Sequence, residues 1–274
     1  MRTTAICFPF DLFGGAGTGA GAVMLADVVR EILDDTAAET RPCRADCLRG
    51  HVTVREFTFD TPARIQGWKA TGRRAAREAL EPDHFLLWLG GNHLSVLPVL
   101  EELGPETLVV QFDAHLDVYS FHDNTPSLSH GNFLKHLRAP RPRLFNVGHR
   151  DLFLTPGEIT ATFEAAYPAW DVAKDPDRAV AALQARAATA TRVWLDLDAD
   201  VFDPAVMPAV QQPLPFGLSS QTFARLFDAA WSGPVVGLSV SEFDPGRDRH
   251  DTGLNLLGWL LEFVLLRVHG AATR

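Results

Sequence analysis

The chain has 274 residues, 46% hydrophobic and 22% charged, enough for one substantial core and short for two, so a single domain over residues 1–274 is expected. Its formal charge of -9 disfavours nucleic acid and anionic membrane as partners, because both need basic clusters, so neither is expected. Three cysteines, an odd count, argue against a disulfide framework and suit a reducing compartment.

Met1-Arg2-Thr3-Thr4 carries one positive charge and runs directly into a short apolar segment, without the pattern of a signal peptide, so a cytoplasmic location is expected. Apolar runs at 4–8, 52–59, 85–89, 107–112, 144–147, 193–197 and 235–240 read as strands, with helical patterns filling most gaps. The glycine run 14–21 lacks a Gly-Lys-Ser/Thr ending and a clean dinucleotide fingerprint, and reads as a flexible loop near a site mouth. Cys43, Cys47 and His51 suggest a zinc corner but offer no fourth ligand. Residues 254–268, interrupted by Asn255, Glu262 and Arg267, are too short to span a membrane and read as a buried C-terminal helix.

This alternation predicts an α/β fold, a three-layer α/β/α arrangement with a mostly parallel central sheet, because parallel strands need crossover connections that are usually helical. Ligands bind at the carboxyl ends of such strands. The loops 119–129 and 203–217, each following an acid-rich strand end, should therefore frame the site.

Four strand ends carry residues able to bind metal: Gly90-Gly91-Asn92-His93, Asp113-Ala114-His115-Leu116-Asp117, Asp196-Leu197-Asp198-Ala199-Asp200 and Ser241-Glu242-Phe243-Asp244. Along an extended chain residues two apart share a face, so Asp113, His115 and Asp117 should converge, as should Asp198 and Asp200. A lone Asp at a strand end is more often a cap or turn residue, so the combined set carries the reading. Mixed imidazole and carboxylate donors suit manganese or a similar divalent ion better than structural zinc.

These segments resemble the motifs of the ureohydrolases, the family that includes arginase, agmatinase and guanidinobutyrase. Asp113 to Asp117 matches the family's Asp-Ala-His-x-Asp completely. Asp198-Ala199-Asp200-Val201-Phe202-Asp203-Pro204 matches its Asp-x-Asp-x-x-Asp-Pro, and Gly90-Gly91-Asn92-His93 is similar to its Gly-Gly-Asp/Glu-His. The second match sets the register, so Asp196 is read as standing where the family usually has Ser, outside the ligand set, and Asp203 as a loop support.

The resemblance implies two Mn2+ ions per subunit: His93 and Asp117 on one, His115 and Asp200 on the other, Asp113 and Asp198 bridging. It implies a proton-shuttle role for His130, which precedes Gly131, and a guanidinium-pairing role for Glu242. The implied reaction releases urea and a primary amine, and relatives that form trimers or hexamers make a homo-oligomer an expectation.

Departures bear on the substrate. Tyr119 stands where arginases of free arginine have a carboxylate-reading Asn. Phe153, beyond Gly148-His149-Arg150-Asp151, replaces an amino-reading Asp. Losing polar readers favours an arginine side chain within a peptide, converted to ornithine, and Tyr119, Phe121 and Phe153 are expected to line an entrance for this or a simpler guanidino substrate. The alternative is a small free guanidino compound such as agmatine, guanidinobutyrate or arginine. Asn92, Leu94, Ala209 and Val210 are further departures beside the motifs. A non-catalytic scaffold and a one-zinc deacetylase are the competing classes; the full ligand set argues against the first, the paired Asp-x-Asp and Glu242 against the second.

Overall fold

The computed structural model of the chain describes residues 1–122 and 124–270. Eight strands form one sheet: β1 Arg2–Phe8, β2 Val52–Glu56, β3 His84–Gly90, β4 Thr107–Phe112, β5 Arg143–Val147, β6 Ala165–Tyr167, β7 Arg192–Asp198 and β8 Val235–Ser241. Their order is β2-β1-β3-β8-β7-β4-β5-β6, and every pairing is parallel. The seven expected strands are all present. The unexpected eighth, β6, is three residues at the sheet edge, too short to show an alternation. β2 ends at Glu56, before the expected 59, because Phe57 and Phe59 leave the sheet to pack on Phe8 at ring distances of 5.8 and 4.8 Å.

Helices cover both faces: α1 Thr18–Ala38, α2 Pro62–Gln66, α3 Trp68–Ala79, α4 Leu97–Leu100, α5 Pro156–Thr162, α6 Ala169–Lys174, α7 Pro176–Thr189, α8 Ser220–Ala230 and α9 Thr252–His269. Alternate side chains of each central strand enter different cores. Leu108, Val110 and Phe112 of β4 join α1, α7, α8 and α9, while Val109 joins α3 and α4. Central strands buried on both faces need near-continuous apolar runs, which is the pattern the sequence carries.

Helix α9 buries Leu257, Leu260, Leu261, Val264 and Leu265, a stripe at helical spacing, while Trp259 stays 63% exposed, so the expected C-terminal helix is buried on one side only. Among the described residues no helix is long and apolar enough to cross a membrane.

The glycine run is only half a loop. Gly17 sits at φ 115 and begins α1, so Gly19 and Gly21 belong to its first turn. A Cβ on Gly21 would stand 2.0 Å from the Phe243 carbonyl oxygen, which lies just beyond Glu242. Gly21 therefore allows a helix to touch the backbone just beyond β8, beside Glu242. Gly21→Ala should cost about 1–3 kcal/mol of stability, an overpacking effect, read as a lowered Tm; an unchanged Tm would show that α1 can move away freely. The zinc corner does not assemble: Cys47 donates to the Arg44 carbonyl at 3.1 Å and the His51 ring lies 5.8 Å from the His269 ring, while the metal-capable groups among the described residues are all His and Asp.

Candidate metal centre

Four adjacent central strands, β3, β8, β7 and β4, end on one rim of the sheet and bring the four acidic or His-bearing segments together. The local reason differs from the extended-chain expectation. Beyond Phe112 the chain turns: the His115 amide donates to Asp113 Oδ1 at 2.6 Å, and Asp117 takes a left-handed φ of 48°. Beyond β7 the Asp200 amide donates to Asp198 Oδ1 at 2.9 Å and opens the 3-10 turn Ala199–Val201. Side-chain-to-backbone turns, not a pleat, aim these carboxylates inward.

His93 Nδ1 lies 2.8 Å from Asp117 Oδ2 and 3.2 Å from both Asp113 Oδ2 and Asp198 Oδ2. His115 Nδ1 lies 2.9 Å from Asp200 Oδ2 and 3.8 Å from Asp113 Oδ1. Two ligand-like groups result, His93-Asp113-Asp198 and Asp113-His115-Asp200, with Asp113 common to both. Asp117 stands beside the first group. Asp196 is on the far side of the His93 ring, against Nε2 at 3.0 Å.

The cluster is electrostatically costly as it stands. Burial, then the charge of Asp117, raises the Asp113 carboxyl; burial, then Asp200, raises Asp198 well above the carboxylate range. Burial opposes charge on His115 too, yet Asp200 beside it outweighs that and holds the imidazole up at about 10. His93 Nδ1, Asp113 Oδ2 and Asp117 Oδ2 are buried and close, yet make no properly directed hydrogen bond. Buried donors of this kind are satisfied by a cation, so the residues fit a divalent metal pair of the hard-to-borderline type.

Above the cluster, the Glu242 carboxylate accepts from the His93 amide at 2.8 Å and faces His130 Nδ1 at 3.3 Å. Glu242 adopts φ 62, a conformation that costs a non-glycine residue energy and marks a position held by its surroundings. The hydrogen bond to Glu242, against the opposing effect of burial, raises the His130 pKa. One cavity joins His93, His115, Asp117, Asp198 and Asp200 to Glu242, His130 and Tyr119, which makes it a pocket with metal donors at its floor and a carboxylate–imidazole pair on its wall.

Known proteins share this scaffold. The Arginase family matches residues 5–264. The chain belongs to the arginase family. An agmatinase of Serratia proteamaculans is 29% identical over 183 residues, 64% of this chain and 57% of that protein, so the match spans less than two thirds of the relative's length. An N(1)-aminopropylagmatine ureohydrolase of Thermus thermophilus is 28% identical across 91% of this chain and 85% of its own. The crystal structure of arginase from Bacillus subtilis shares the fold at a TM-score of 0.78 and 18% identity, covering 98% of each chain.

Within this arginase-family pocket the loops contribute residues that no motif announced: Asn124, Gln211 and Gln212 line it alongside Gly131. They lie on the two loops expected to frame the site, but isolated amides in loops carry no sequence signal. Arg150 was visible only as part of a motif. Its guanidinium reaches the carbonyls of Asp200 and Val201 at 2.6 and 2.7 Å and of Leu214 at 3.2 Å, tying the metal loop to the Pro-rich loop. Asp203 accepts from Ala205 and Gly217 amides at 3.0 and 3.2 Å, so its carboxylate is occupied with the loop. The buried Asn92 side chain donates to Leu12 O at 3.0 Å. Phe153 is 78% exposed and outside the pocket lining; it reaches the wall indirectly, packing on Phe121, which stacks on Tyr119.

Proposed function

We propose that this chain hydrolyses a guanidino group, releasing urea and a primary amine. The observation that carries the reading is the pair of His/Asp groups sharing Asp113 directly beneath the Glu242–His130 pair. His93 and Asp117 would hold one ion, His115 and Asp200 the other, with Asp113 and Asp198 between them, and manganese is the metal we assign. When bound, such a pair supplies Lewis acidity that brings the pKa of water toward about 7.

The chain's own residues then account for the rest. Glu242 offers a carboxylate to the planar guanidinium and fixes its orientation. Water oxygen joins the guanidinium carbon, the bond to the alkyl nitrogen breaks, and that nitrogen leaves as an ammonium carrying both water protons. His130, at the pocket wall, is placed to carry a proton toward it at Nδ1 or Nε2.

For the substrate's far end we favour a small free guanidine. Of the two residues that replace polar readers in the peptide expectation, Tyr119 lines the pocket and Phe153 stands outside it. Two of the relatives are named for agmatine and aminopropylagmatine and another as an arginase, names that point to small free guanidines, and the aromatic faces of Tyr119 and Phe121 suit an amine terminus as well as an apolar one. Urea release should be assayed from agmatine, guanidinobutyrate, free arginine and an arginine-containing peptide with manganese-loaded protein. Release from agmatine or guanidinobutyrate supports the proposal; release from the peptide alone would replace it with the peptide reading, and release from none would return the chain to a scaffold.

A further inference from the structure

Asp196 has no place in the ligand set, yet it is a fully buried carboxylate directly behind His93. It lies on β7 two residues before Asp198, on the same strand face, and opposite Ser239 of β8. Its Oδ2 is 3.0 Å from His93 Nε2, and its Oδ1 is 2.6 Å from Ser239 Oγ. Ser239 Oγ in turn receives the Trp194 indole N–H at 3.0 Å.

Donor chemistry sets the direction of each bond in this line. An indole nitrogen only donates, so Ser239 accepts from Trp194 and its own proton is free for an acceptor. At 2.6 Å the Asp196 carboxylate takes that proton in preference to Leu195 O at 3.4 Å. Asp196 Oδ2 is then the acceptor facing His93, and the imidazole proton belongs on Nε2. Nδ1 is then the nitrogen whose lone pair is left for a cation held among Asp113, Asp117 and Asp198.

We propose that Asp196, set by Ser239 and Trp194, is a positioning residue that fixes the tautomer and tilt of His93 for cation binding. Asp196 is not itself a ligand, because the imidazole ring stands between it and the converging donors. A carboxylate behind a metal-binding imidazole raises its basicity as well as orienting it, and losing such a partner typically weakens metal binding by about 10- to 100-fold.

This inference rests on the metal-centre reading, so its test separates the two. Manganese is titrated into metal-free wild type, Asp196→Asn and Ser239→Ala, with electron paramagnetic resonance reporting free ion, isolated bound ion and coupled pair. Wild type should show a coupled pair at two equivalents. Asp196→Asn should lose one binding step by about 10- to 100-fold and show the isolated-ion signal at the same loading. Ser239→Ala, a small change in a buried site, should shift the same step in the same direction by less. Circular dichroism of the metal-free variants checks that the fold is kept. Equal binding steps in all three folded proteins would overturn the role of Asp196. Failure of wild type to bind manganese would overturn the metal centre and the positioning role together.

Discussion

Asp113→Asn should abolish urea release, by about 10³-fold or more, while leaving the chain folded. Asp113 is the residue common to both His/Asp groups, so a neutral amide there removes a charge from each cation position at once. Metal activation of water is worth several kcal/mol, and about 4 kcal/mol corresponds to about three decades of rate. The side-chain volume is unchanged, and a buried carboxylate that burial and Asp117 oppose is gone, so metal-free Asp113→Asn should melt no lower than wild type. The opposite should hold with manganese present. Wild type at manganese about 100 times its Kd gains about 2.7 kcal/mol, and the variant should gain little of it. Thermal melts with and without manganese, beside the urea assay, check both halves. A variant that kept its turnover would remove Asp113 from the centre. A variant that unfolded would show that the attraction of the Asp113 charge to His93 and His115, 3.2 and 3.8 Å away, outweighs the cost of burying it.

The fold and the site were legible to different depths because different physics writes them. Buried parallel strands demand uninterrupted apolar residues, so runs such as 85–89 and 107–112 announced β3 and β4 with no help from tertiary structure. β6, Ala165–Tyr167, is an edge strand whose existence depends on pairing with β5, and three residues cannot carry a period. The same contrast runs through the site. Asp113, His115 and Asp117 were readable as a set because motif spacing survives whatever the backbone does, yet the reason offered, an extended chain, was wrong: an Asp side chain capping its own turn brings them together. Asn124, Gln211 and Gln212 were invisible because their positions depend on two long loops folding over a rim that no local pattern encodes. The Asp196–Ser239–Trp194 line was hidden for a further reason. It joins two strands far apart in sequence, and only register brings them opposite one another.

Register also decides how Glu242 works, and Glu242→Gln separates substrate orientation from metal binding. Truncating the charge of a buried pair costs about 2–5 kcal/mol, so kcat/KM for a guanidinium substrate should fall about 30- to 4,000-fold. Metal content should hold, because the amide oxygen can still accept from the His93 backbone N–H as Glu242 does at 2.8 Å. A second readout follows from His130, whose pKa is raised chiefly by its bond to Glu242, with burial working against it. A raised folded-state value means that this pair stabilises the protein fully below the ordinary histidine pKa of about 6.5, and that the contribution fades as pH rises through the folded value. In Glu242→Gln the His130 titration followed by NMR should move down, and the loss of stability with rising pH that wild type shows over this window should shrink. Bound substrate should have a related effect, since a guanidinium held by Glu242 competes with His130 for the same carboxylate and frees the imidazole to give up its proton near neutrality. Should Glu242→Gln instead lose its manganese while His130 titrates unchanged, Glu242 would belong to the support of His93, and the guanidinium would have to be held by another residue of the pocket.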